Sequence, residues 1–93
     1  PYVILPGGAT IIIQETAALI AIDVNSAADN RGNLAINIDA AKEIARQLRL
    51  RNMGGAVVMD FLRLKNKEER QRLLKTLEES FDEDPCTVQI HGW

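Results

Sequence analysis

Ala17-Ala18-Leu19-Ile20-Ala21-Ile22-Asp23-Val24-Asn25-Ser26 is the stretch whose reading decides the fold. Six apolar residues in a row, with Leu and Ile and no charge, read as a strand buried on both faces, and the run stops at Asp23. A second stretch repeats the design: Gly54-Gly55-Ala56-Val57-Val58-Met59 delivers Asp60 and then Phe61. Between them lies a helical pattern. Strand, helix, strand is the unit that makes parallel neighbours through a right-handed crossover. Parallel strands end on the same edge of a sheet, about 4.8 Å apart when adjacent, so the carboxylates of Asp23 and Asp60 are expected to share one hard divalent cation. A lone aspartate after a hydrophobic strand is more commonly a turn former or a helix cap. Two in matched settings, at the edge where such sheets take ligands, put a shared site on an equal footing with that reading.

The remainder of the chain supplies the frame. Its 93 residues suffice for one domain with a single modest core. At 46% hydrophobic and 26% charged, the composition is that of a globular protein and gives disorder no support. No apolar run approaches the length of a membrane span, and no signal peptide opens the chain. Pro1 stands where a Met would start a protein and Trp93 ends an apparent strand, so the segment reads as a piece of a longer polypeptide. A net charge of -2 makes any nucleic-acid contact local or dependent on other domains. The single cysteine, Cys86, reads as a buried structural thiol, in keeping with a reducing cytoplasm.

In chain order, Tyr2 to Leu5 is a short strand closed by the turn Pro6-Gly7-Gly8, and Thr10-Ile11-Ile12-Ile13-Gln14 pairs with it as a hairpin. After Ser26, the polar run from Ala27 to Asn33 is a surface loop beside the proposed cation edge, where Arg31 is a candidate phosphate contact. Asn37 is expected to cap a helix from about Ile38 to Arg51, with Ile38, Ala41, Ile44, Ala45 and Leu48 on its buried face. Lys42, Arg46 and Arg49 gather on a second face as a further candidate phosphate surface, diluted by Glu43 and Asp39. Met53-Gly54-Gly55 closes that helix. Asn66 with Glu69 forms a capping box for another, with Leu73, Leu74, Leu77 and Phe81 on its buried side, and Asp82-Glu83-Asp84-Pro85 stops it. Thr87 to His91 alternates as a final strand with Val88 and Ile90 inward. His91 stays outside the site. The expected architecture is an α/β domain over residues 1–93: a mixed sheet of about five strands in the order β-β-β-α-β-α-β, with two helices packed on it.

Several of these stretches can be set beside a known family. Ala21-Ile22-Asp23-Val24-Asn25-Ser26, the helix Ala40-Ala41-Lys42-Glu43-Ile44-Ala45-Arg46-Gln47-Leu48-Arg49-Leu50-Arg51 followed by Gly54-Gly55, and Val58-Met59-Asp60-Phe61 strongly resemble the ribonuclease E/G family. Leu5-Pro6-Gly7-Gly8 is similar to that family's opening turn. The resemblance covers nearly the whole chain and places it in the first part of the catalytic subdomain, described as deoxyribonuclease-I-like. It implies a magnesium-dependent endoribonuclease of RNA processing and decay that cuts single-stranded RNA, leaving 5'-phosphate and 3'-hydroxyl ends. It also implies Asp23 and Asp60 as the Mg²⁺ ligands and Asn25 as a supporting catalytic residue. Arg31, Lys42, Arg46 and Arg49 are the RNA-binding candidates. The loop after Ser26 is shorter than the family usually has, Ala35-Ile36 replaces a common Asn-Thr, and Asn52 stands where Asp is usual. The implied partners are the S1 and 5'-sensing regions upstream in the parent chain, with homo-oligomer contacts through regions absent here. The alternative is a folded scaffold that supports RNA or oligomer contacts without activity of its own.

Overall fold

The structure is a computed structural model that describes residues 2–51, 55–81 and 86–91. Its elements run β1 (Tyr2–Ile4), β2 (Thr10–Glu15), β3 (Leu19–Asn25), α1 (Asn33–Arg51), β4 (Gly55–Asp60), α2 (Lys67–Ser80) and β5 (Cys86–His91). The five strands form one mixed sheet whose spatial order is also β1-β2-β3-β4-β5. β1, β2 and β3 are antiparallel, while β3, β4 and β5 are parallel. Both crossovers advance in the same direction across the sheet, so their shared handedness sets α1 and α2 on one face, where the helices touch each other. The result is the expected α/β architecture in two layers.

That layering corrects the reading of β3 as buried on both faces. Ile20, Ile22 and Val24 are buried against the helices, whereas Asp23 and Asn25 are exposed and Ala21 is half-buried. With helices on one side only, the pleat sends alternate residues to an uncovered face. β2 and β4 follow the same rule. Ile11, Ile13, Val57 and Met59 join the core, while Ile12 and Val58 are half-buried and Asp60 is exposed. The helical side of the core is Ile36, Ala40, Ile44 and Leu48 from α1 with Leu73 and Leu77 from α2.

Two further expectations change. α1 begins at Asn33 rather than near Ile38, and Asn37 is a fully buried residue inside it. The asparagine at 37 reads as a cap from its residue type, but Ile36 before it is fully buried and its N–H bonds the Gly32 carbonyl, so tertiary packing starts the helix more than a turn earlier. Ile38 is half-buried, and Ala40 takes a core position instead. On α2, Asn66 caps as expected, its side chain accepting from the Glu69 N–H at 2.9 Å. Glu69 returns its carboxylate to the Lys65 N–H at 3.0 Å rather than to Asn66. Leu73 and Leu77 are buried, but Leu74, expected with them, is 39% exposed. The turn at Pro6-Gly7-Gly8 is a hairpin turn, with Gly8 at φ 101° and its N–H on the Leu5 carbonyl at 2.9 Å. Ile90 packs on the core as expected. The Met53-Gly54 helix ending, Asn52, the Asp82 to Pro85 stop and the side chains of Cys86, Val88 and His91 lie outside the described residues.

Candidate active site

β3 and β4 are parallel neighbours, and their register makes Asp23 and Asp60 direct Cα partners. Both side chains are exposed on the face that no helix covers. One register row crosses the sheet from Tyr2 through Ile12, Asp23 and Asp60 to His91 on β5. Beside the acids opens a concavity of about 350 Å³ that Ile12, Gln14, Ala21 and Val58 line together with them. Among the described residues, neither carboxylate has a hydrogen-bond or ion-pair partner. Two unit charges at the strand spacing of about 5 Å repel by about 1 kcal/mol in water and about 3 kcal/mol at an effective dielectric near 20. Hard anionic oxygens placed side by side, open to solvent and ion-paired with none of the described side chains, suit a hard dication that keeps several of its waters. Among the residues whose side chains are described, no third His, Cys, Asp or Glu completes a cluster with them.

Asn25 lies two residues beyond Asp23 on the same side of β3. Its Oδ1 accepts from the Ala27 N–H at 2.9 Å. That bond ties the side chain to a turn in which Ala27 sits at φ 46°, a conformation costing about 1 kcal/mol or more for a residue with a Cβ. The Asn25 amide nitrogen bonds none of the described residues.

The loop after β3 is held by a buried acid. Asp29 is 6% exposed, and Arg31 grips both its carboxylate oxygens, with Nη2 to Oδ2 at 2.7 Å. The same Nη2 reaches Asp39 of α1 at 2.8 Å. A Cβ at Gly7 would collide with the Asp29 carboxylate, so the hairpin turn needs glycine there for close approach. Hydrogen bonds and charge from Arg31 hold the Asp29 carboxyl below its ordinary 3.8. A depressed acid stabilises the fold above its unfolded value and loses that contribution as pH falls through its folded value. This lock is therefore expected to be intact at neutral pH and to open only in acid. A ¹³C NMR titration of the Asp29 carboxyl should have its midpoint below 3.8; a midpoint above that would contradict the pairing.

The four basic candidates fall elsewhere. Arg31 is committed to Asp29 and Asp39, and Arg46 to Glu43 at 2.8 Å. Arg49 donates to the Ser80 carbonyl and so ties α1 to α2. Lys42 is exposed on the outer side of α1. Lys42, Arg46 and Arg49 thus belong to the helical layer, with the sheet between them and the acids. Three residues that bear on the site carry no functional role in the sequence reading, which places Ile12 and Gln14 in a strand and Asn37 at a helix cap. Ile12 and Gln14 give no signal beyond strand alternation. Asn37 bonds the backbone of Leu62, and an asparagine in the middle of helical periodicity is the hint that could have marked it.

Comparison with known proteins adds an independent line. The model of the Ribonuclease E/G family matches residues 1–93. Ribonuclease G of Salmonella typhimurium (strain SL1344) is 38% identical over 95 residues, covering 96% of this chain and 19% of that protein. Ribonuclease E of Escherichia coli (strain K12) is 42% identical over 92 residues, covering 92% of this chain and 9% of that protein. Ribonuclease E of Nostoc sp. (strain PCC 7120 / SAG 25.82 / UTEX 2576) is 41% identical over 96 residues, covering 97% of this chain and 14% of that protein. The chain therefore spans a fifth or less of the length of these relatives. Matched from its first residue to its last, with relatives well above 30% identity, it belongs to the ribonuclease E/G family.

Proposed function

We propose that this region is the first part of a magnesium-dependent endoribonuclease catalytic subdomain acting on single-stranded RNA in the cytoplasm. The observation that carries the reading is the register pairing of Asp23 with Asp60 on the open sheet face, within a chain of the ribonuclease E/G family. Asp23 and Asp60 would hold one Mg²⁺. When bound, the ion would supply a Lewis acid and an activated water for in-line attack on a phosphodiester. The two carboxylates stand side by side on adjacent strands of the open face, where they would fix the position of the ion. Asn25, whose oxygen anchors the loop, has an amide N–H to offer a phosphate oxygen without adding charge. Arg31, Lys42, Arg46 and Arg49 enter as secondary phosphate contacts, since Arg31 and Arg46 already face carboxylates. Among the described residues no helix is long and apolar enough to cross a membrane. S1 and 5'-sensing regions of the parent chain are the proposed partners, together with homo-oligomer contacts outside this segment. The test is cleavage of a fluorogenic single-stranded RNA by the intact protein and by its Asp23→Asn and Asp60→Asn variants.

A second reading, a scaffold without activity of its own, draws support from the net charge of -2 and from the internal pairing of the arginines. It applies to the 93-residue chain by itself. That chain is expected to cleave the same RNA at least about 100-fold more slowly than the intact protein, because the electrostatic grip on phosphates that supplies most affinity is missing. Equal rates would remove the scaffold reading.

A further inference from the structure

Asn37 is the one fully buried polar side chain among the described residues of α1. Asparagine is a poor helix former, and a buried amide is costly unless its hydrogen bonds are made. Its partners are therefore informative. Asn37 Nδ2 donates to the Leu62 carbonyl at 2.8 Å and Asn37 Oδ1 accepts from the Leu62 N–H at 3.0 Å, a two-point pair with one peptide position of a segment that has no regular structure. One turn earlier, Asn33 Nδ2 donates to the Arg63 carbonyl at 2.8 Å. Leu62 and Arg63 are the second and third residues after Asp60. Buried Phe61 and Leu64 flank them, but apolar anchors resist sliding and rotation less than paired hydrogen bonds do.

Strand ends fray unless something ties them down. β4 ends at Asp60, which lies in register between Asp23 on β3 and His91 on β5, and the chain leaves the sheet directly beyond it. We infer that Asn37, assisted by Asn33, is a positioning residue for Asp60: the α1 asparagines clamp the exit of β4 so that the Asp60 carboxylate stays opposite that of Asp23. This rests on the proposed metal-dependent reading of the acid pair. Neither asparagine touches the reacting atoms. The same helix also takes the other acid's loop, through Arg31 on Asp39, so α1 holds the chain leaving both acids.

The test is Mn²⁺ titration of the intact protein by electron paramagnetic resonance, following the site that Asp60→Asn removes, in parallel with the Mg²⁺ concentration needed for half-maximal RNA cleavage. Asn37→Leu is expected to raise the Mn²⁺ dissociation constant about tenfold, the low end of what loss of support around a metal ligand costs. The Mg²⁺ requirement should rise with it. Leu77→Ala, a core truncation on α2, should lower the melting temperature while leaving both unchanged. Asn33→Ala, at the exposed start of α1, should raise the dissociation constant in the same direction by a smaller factor, since it removes one hydrogen bond rather than two; it decides the matter if Asn37→Leu does not fold. A folded Asn37→Leu protein with parental Mn²⁺ affinity overturns the clamp, as does an unchanged Asn33→Ala protein where Asn37→Leu is unfolded. If Asp60→Asn itself leaves Mn²⁺ binding intact, the acid-pair reading falls first and the clamp with it.

Discussion

Replacing Asp60 by asparagine in the intact protein is expected to lower the rate of RNA cleavage by at least about 1,000-fold, and Asp23→Asn should do the same. A loss of that size corresponds to about 4 kcal/mol of transition-state stabilisation. It is what removing one of the two proposed anionic ligands from a catalytic ion should cost, given that single neutral oxyanion donors are already worth two to three orders of magnitude. The stability of the same variants should move the other way. Both side chains are exposed, pair with none of the described residues, and lie opposite one another on adjacent strands. Removing one negative charge relieves repulsion, so the melting temperature of metal-free Asp60→Asn protein should equal or exceed that of the parent. A group kept at a cost to the fold is the signature of a functional position. Near-parental cleavage by either variant would refute the nuclease assignment, and a large drop in melting temperature would show that the acids serve the fold instead.

The second large effect separates two adjacent isoleucines. Ile13 is 1% exposed, on the helix-facing side of β2, while Ile12 is half-buried on the open face beside the acids. Ile13→Ala is expected to destabilise the 93-residue chain by about 3–4 kcal/mol, since it removes buried methyl and methylene groups and leaves a cavity between sheet and helices. Ile12→Ala should cost about 1 kcal/mol, because part of that side chain stays in water in the folded state and its truncation leaves no enclosed cavity. For a domain of this size, the difference of 2–3 kcal/mol is a separation of about 10 °C or more in melting temperature. Equal losses would mean that both faces of the sheet are covered, contrary to the two-layer fold. In the intact protein, Ile12→Ala becomes the informative variant for RNA cleavage, since it alters the lining of the concavity without touching a carboxylate.

How much of this was legible in the chain differs from element to element. The strand that ends in Asp60 and the cap at Asn66 are written locally. Each depends on residues within one or two turns, and periodicity and capping chemistry report such short-range physics directly. The start of α1 was not, because whether Asn33 to Asn37 is loop or helix depends on where the asparagine amides find partners. Those partners, the backbone of Leu62 and Arg63, are 25 and 30 positions away. Asp29 had no signal for a similar reason, since its burial follows from contact with Gly7 in a different turn. The reading of β3 as buried on both faces failed at Ala21, where a small apolar residue fits an open sheet face as readily as a core.

By itself the sequence determined the order of the elements, the apolar strands that end in Asp23 and Asp60, and through its likeness along the whole chain the family to which it belongs. Only the tertiary structure decided that the two acids stand opposite one another, that both helices cover the same face, and that Arg31 and Arg46 turn to acids of their own chain. Side-chain chemistry and short-range periodicity are local properties of the chain. Register, layer and ion pairing depend on which distant segments pack together, and that is settled by burial of the whole core.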